Sequence, residues 1–168
     1  DPDDCKPCPR GRYNDQSGQG PLSDACTKCD EGRYNEVEGS FASSSCLACP
    51  NGKYAPNKGT QVNSGAWVLN GETPAWTPSS TGAGYDEHVS CLPCLRGKYG
   101  RNSGLISAES TDDTVGCVDC GSGQYSSLFG RTDVSSCQTC PSGKIGVVGE
   151  TGAKAKEDCK SCRPGKIV

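Results

Sequence analysis

The chain has 168 residues, a formal net charge of −3 and scattered basic residues, so nothing in it suggests a phosphate-backbone partner. Leu, Ile, Val and Phe together make 22 of those residues, about 13%, too few for an ordinary apolar core. The 14 cysteines point instead to covalent cross-links standing in for that core, and so to an oxidising, extracellular compartment.

The cysteines fall into seven Cys-x-x-Cys pairs: Cys5/Cys8, Cys26/Cys29, Cys46/Cys49, Cys91/Cys94, Cys117/Cys120, Cys137/Cys140 and Cys159/Cys162. The first cysteines of successive pairs are 21, 20, 45, 26, 20 and 22 residues apart, an internal repeat with one long insertion. In chain order the units open Cys8-Pro-Arg-Gly-Arg-Tyr13, Cys29-Asp-Glu-Gly-Arg-Tyr34, Cys49-Pro-Asn-Gly-Lys-Tyr54, Cys94-Leu-Arg-Gly-Lys-Tyr99, Cys120-Gly-Ser-Gly-Gln-Tyr125, Cys140-Pro-Ser-Gly-Lys-Ile145 and Cys162-Arg-Pro-Gly-Lys-Ile167. The glycine three residues after each cysteine suits a positive φ in a tight turn, and Pro9, Pro50 and Pro141 pre-set φ early in it. The following Tyr or Ile is the one sizeable apolar group of each unit. It is expected to cover the neighbouring disulfide and stack on the next unit. Short strands are expected around each Gly-Lys-Tyr and in each segment before a cysteine, such as Ser43-Ser-Ser-Cys46 or Val134-Ser-Ser-Cys137. A unit this small cannot bury a core alone, so neighbours must stack.

The expected organisation is three repeat units over residues 1–59, an insertion over 60–84, and further repeats over 85–168 ending in a half unit. The insertion holds both tryptophans, Trp67 and Trp76. Asn70-Gly71 reads as a type I′ hairpin turn, and Pro74 confines the return arm to an edge. Residues 77–84 read as a loop. The two tryptophans are either an anchor for a lateral contact, protein or sugar, or a private core holding the insertion down.

The pattern Cys-x-x-Cys-Pro-x-Gly-x-Tyr, with its Gly/Ser-rich loop and a following Cys-x-x-Cys, resembles the ephrin-receptor-like cysteine-rich repeats. Its loop is also similar to the first sub-module of tumour-necrosis-factor-receptor cysteine-rich domains. The resemblance covers nearly the whole chain outside the insertion. It implies a small disulfide-rich repeat protein: an elongated ladder of short β-hairpins and loops, extracellular, structural or binding in role, and not an enzyme. Cysteine spacing leaves the pairing open, and closure within each Cys-x-x-Cys would be the redox option. The receptor-like loops imply instead Cys8–Cys26, Cys29–Cys46, Cys49–Cys91, Cys94–Cys117, Cys120–Cys137 and Cys140–Cys159.

That scheme leaves Cys5 and Cys162 over. Residues 3–5 read as the closing half of a unit and residues 162–168 as the opening half of another. Two expectations follow: a processed chain whose Cys162 joins Cys5 of the next copy head to tail, with Ile167 and Val168 adding a strand, or an excerpt of a longer repeat chain. The absence of methionine fits either. The two corresponding roles are a self-associating building block of a surface or matrix fibril, and the ligand-binding stalk of a receptor or adhesin.

No Asn-x-Ser/Thr acceptor occurs, so conventional N-glycosylation is not expected. Ser43-Ser-Ser45, Thr73-Pro74 and residues 77–81 are candidate O-linked acceptors. Asp1-Pro-Asp-Asp4 and Asp112-Asp113 lack the ligand spacing of a calcium loop and read as solvated acids. Zinc is the chemical rival, since two Cys-x-x-Cys pairs make a four-cysteine site, but seven pairs would strand one. The single histidine, His88, offers no nucleophilic or acid–base constellation, so no catalytic residue, metal or cofactor is expected.

Overall fold

The computed structural model describes residues 5–17, 25–59, 65–70, 73–78, 91–145 and 152–161, with backbone alone for 65–70 and 73–78. Six disulfides join Cys8–Cys26, Cys29–Cys46, Cys49–Cys91, Cys94–Cys117, Cys120–Cys137 and Cys140–Cys159, the pairs that the receptor-like loops imply. Each closes one unit, numbered here 1 to 6. The protein is a small disulfide-rich chain of short antiparallel hairpins and loops.

Every unit uses the same hairpin. The two residues after the turn glycine pair antiparallel with the two residues inside the closing Cys-x-x-Cys. Tyr13 faces Thr27, Tyr34 faces Leu47, Tyr54 faces Leu92, Tyr99 faces Val118, Tyr125 faces Gln138 and Ile145 faces Lys160. The register survives the insertion in unit 3, where the disulfide spans 42 residues.

Three of the segments before the closing cysteines, Ser43–Ser45, Val134–Ser136 and Lys156–Asp158, are one-turn 3-10 helices rather than the expected strands, whereas a strand does begin before Cys117, at Gly116. Ser and Asp offer the backbone local partners that a ladder does not. Asp133 accepts from the Ser135 amide, and the Cys46, Cys137 and Cys159 amides each bond back three residues. Extension falls inside the Cys-x-x-Cys instead. Residues three apart in an extended segment face opposite ways, so each doublet sends one sulfur to the unit behind and one to the unit ahead.

Within the insertion, Gly65–Asn70 and Thr73–Pro78 form a two-stranded ladder. Asn70 is the last paired residue, opposite Thr73, and is not a turn centre. The strand runs through Pro74 and on to Pro78, further than the loop expected from residue 77. A two-stranded ribbon has only edges, so a proline can sit where its missing N–H would face outward.

Among the described residues the interior consists mainly of cystine sulfur and tyrosine. Tyr34 packs with Cys49, Cys91 and Ala55; Tyr54 with Cys94, Cys117 and Leu105; Tyr99 with Cys120 and Cys137. Each ring therefore lies on the disulfide of the following unit. Leu105, Cys49, Cys91, Cys94, Cys117 and Cys120 are fully buried.

Candidate functional site

The recurring constructed surface of this molecule is the junction between units. The junction of units 3 and 4 carries four main-chain bonds. The Gly52 amide donates to Gly100 O at 2.7 Å, Cys94 to Gly52 O at 2.8 Å, Gly104 to Cys49 O at 2.8 Å, and Ala55 to Leu105 O at 2.9 Å. Units 1 and 2 repeat all four through Gly11, Cys29, Gly39 and Asn14, and units 4 and 5 through Gly97, Cys120, Gly130 and Gly100. Tyr54, Tyr99 and Tyr125 each form a parallel bridge to the next unit, at Leu105, Arg131 and Ala153. Because these bonds are main chain to main chain, the junction tolerates wide side-chain variation.

Two glycines per unit make the junction. The turn glycines predicted from sequence have positive φ throughout the described residues, from 72° at Gly32 to 78° at Gly52. A second set, Gly39, Gly59, Gly104, Gly130 and Gly152, also has positive φ, and its amides donate to the opening cysteine of the preceding unit. Sequence reasoning missed this set, although the first four lie ten residues after an opening cysteine and Gly152 lies twelve after Cys140. The two sets meet across two units. A Cβ at Gly32, Gly52 or Gly97 would lie 2.2, 2.4 or 2.0 Å from the carbonyl oxygen of Gly104, Gly130 or Gly152 respectively. The stack therefore winds so that unit n touches n+1 by hydrogen bonds and n+2 by bare backbone.

Polar side chains reinforce the same seams. The Arg12 and Arg33 guanidiniums reach the carbonyls of Cys26 and Cys46 at 3.1 and 2.8 Å, closing their own hairpins. Buried Asn35 donates to Arg12 O and accepts from the Val37 amide. Lys98 pairs with Asp119 directly across the hairpin, with Glu109 at 3.9 Å. Lys58–Asp30 and Arg101–Asp133 link neighbouring units at the surface. Arg96 lies 5.0 Å from the Phe129 ring centroid of the next unit.

The remaining predicted residues form no common site among the described residues. Cys5 is exposed and unpaired among the described residues. Cys162, Ile167, Val168, His88 and residues 1–4 lie outside the described residues. Trp67 and Trp76 are direct cross-strand partners in the insertion ribbon, with backbone alone described. Asp112 closes a local turn by accepting from the Thr114 amide and hydroxyl, and those bonds hold its carboxyl below the usual range. Asp113 faces Arg101 at 3.3 Å. A zinc site built from the adjacent doublets Cys26/Cys29 and Cys46/Cys49 would require breaking three disulfides. No protein-family model matches the chain, and no curated protein matches it in sequence.

Proposed function

We infer that the chain is a non-enzymatic structural protein of the extracellular space, a self-associating building block of a surface or matrix fibril. The observation that carries this reading is the generic junction. One set of main-chain bonds, one tyrosine on the next disulfide and one glycine contact recur from unit to unit, so a further unit can dock by the same bonds whichever polypeptide supplies it. Disulfide density supports an oxidising environment, and no helix among the described residues is long and apolar enough to cross a membrane. The resemblance to ephrin-receptor-like repeats supports the same setting. Candidate O-linked acceptors at exposed Ser43 and Ser44 fit a protein that resists proteolysis outside the cell.

Electron microscopy of the purified, oxidised protein tests the proposal. Long fibres with a regular subunit repeat are expected. Isolated short particles at all concentrations would overturn it and favour the receptor-stalk role.

A further inference from the structure

Unit 5 departs from its neighbours at one position. The amide that follows the hairpin tyrosine donates to the next unit at the same place each time: Asn14 to Ser40 O, Ala55 to Leu105 O, Gly100 to Arg131 O and Ser126 to Ala153 O. Leu105 is fully buried and packs with Tyr54. Ser40 is buried too, and its hydroxyl meets Val37 O at 2.9 Å and Asn35 Oδ1 at 3.4 Å. In unit 5 the position holds Arg131, half-buried, whose guanidinium has no hydrogen bond or ion pair among the described residues. Asp133, two residues on, does not neutralise it. The Asp133 carboxylate accepts from the Ser135 amide at 2.8 Å and faces Arg101 Nε at 3.6 Å.

Arg131 lines a cavity of about 180 Å³ in unit 5 and is the one charged residue of its wall. Leu128, which is 53% exposed, supplies an apolar edge. The other groups are hydroxyls and an amide. The Ser126 and Ser136 hydroxyls already donate to the carbonyls of Leu128 and Asp133, so what they have left to offer is lone pairs. The Ser127 hydroxyl and the Gln138 amide are exposed, have no side-chain bond among the described residues, and both donate and accept. Unit 2 differs here as well, since Leu47 faces Tyr34 where Gln138 faces Tyr125.

We propose that this cavity of unit 5 binds one acidic sugar residue, a uronic acid, with its carboxylate on the Arg131 guanidinium and its ring hydroxyls on Ser126, Ser127, Ser136 and Gln138. The planar fork of a guanidinium takes a carboxylate through two parallel bonds, and no counter-charge competes for this one. The space is smaller than the roughly 300–1,000 Å³ of a drug-sized site, which restricts the occupant to about one ring. A sugar hydroxyl donates and accepts at once, and the wall offers both lone pairs and protons to meet it. The carboxylate of an acidic peptide would engage Arg131 but leave the serines and the amide to water. Leu128 gives the C–H edge of the ring an apolar neighbour. The site is independent of the fibril reading: a fibre-forming chain can lack it and a monomer can carry it.

Titration of the oxidised, nitrogen-15-labelled full chain with sodium glucuronate, followed by amide chemical shifts at constant ionic strength, tests the site. Glucose and acetate are the matched probes. Glucuronate should give saturable shifts centred on residues 126–138, with glucose and acetate each about tenfold weaker or more. Arg131→Gln keeps the main-chain bond from Gly100, so its disulfide map and unfolding midpoint should match the parent while glucuronate affinity falls about tenfold or more. Arg131→Lys keeps the charge without the fork and should fall between the two, which preserves the test if the glutamine variant misfolds. Lys160→Gln, which removes an exposed cation of unit 6, should bind as the parent does. Absence of saturable shifts with glucuronate overturns the site. Acetate binding as tightly as glucuronate overturns sugar recognition. Equal weakening by Lys160→Gln, or none by either Arg131 variant, overturns Arg131 as the anchor.

Discussion

Replacing Gly52 with alanine probes the wound stack at its tightest described seam in unit 3. Gly52 has φ +78°, and an L-residue in that region costs about 1–2 kcal/mol. The new Cβ would also lie 2.4 Å from Gly130 O, about 1 Å inside ordinary contact. Both walls are backbone, so no side chain can swing away. Relief requires the turn to back off from unit 5, which loosens the Gly52-to-Gly100 and Cys94-to-Gly52 bonds, each worth about 1 kcal/mol net. The expected loss is about 3–4 kcal/mol. Gly123 is the matched control: its φ is +74°, yet no described residue lies within 4 Å of its added Cβ. Gly123→Ala should therefore cost only the backbone share, about 1–2 kcal/mol. Urea unfolding of both variants with disulfides intact, followed by circular dichroism, measures the difference. If the two lose equal stability, the contact between units two apart is not the close backbone approach argued here.

Tyr54→Ala should cost about 3–5 kcal/mol, because the ring is buried on the Cys94–Cys117 bond beside Leu105, whereas the half-buried Tyr125 should cost less; thermal unfolding ranks them. Burial, with Glu109 adding to it, pushes the Tyr54 phenol above its usual range. The stability this group contributes is whole below the ordinary tyrosine range and is lost as pH rises through its raised folded value. Tyr54→Phe should flatten that alkaline limb, and an unchanged slope would refute the assignment. Asp133 titrates the other way. Its carboxyl is held low first by the Ser135 bonds and then by Arg101, so its contribution is present above the ordinary aspartate range and fades as pH falls through its lowered folded value. Asp133→Ala should weaken the acid limb of a pH–stability profile. In the chain-entropy model, removing Cys49–Cys91, with its separation of 42, should cost about 4 kcal/mol against about 3 for Cys120–Cys137, with its separation of 17. Paired Cys→Ser variants test that order, and sensitivity to a chelator rather than to a reductant would overturn the disulfide reading.

Composition and cysteine spacing were enough to read the class of protein, because a chain with so few large apolar residues has few other ways to hold a fold. The turn glycines were legible too, since Cys-x-x-Gly repeats without exception and a positive φ needs no distant partner. The 3-10 turns at residues 43–45 and 134–136 were misread as strands. A three-residue polar segment has no periodicity, and only the position of its cysteine in the hairpin shows where extension stops.

What tertiary structure alone decided is the winding. Gly39, Gly59, Gly104, Gly130 and Gly152 look like ordinary loop glycines until the neighbouring unit is in place, because each is selected by a carbonyl or side chain one or two repeats away. The same holds for Ile106, a plain loop residue by sequence, whose Cγ2 lies 3.1 Å from a Cβ placed on Gly32 two units back. Local rules choose a turn from its own residues. Contacts between units depend on the rotation from one repeat to the next, a property of backbone geometry accumulated over the whole hairpin that no single motif encodes.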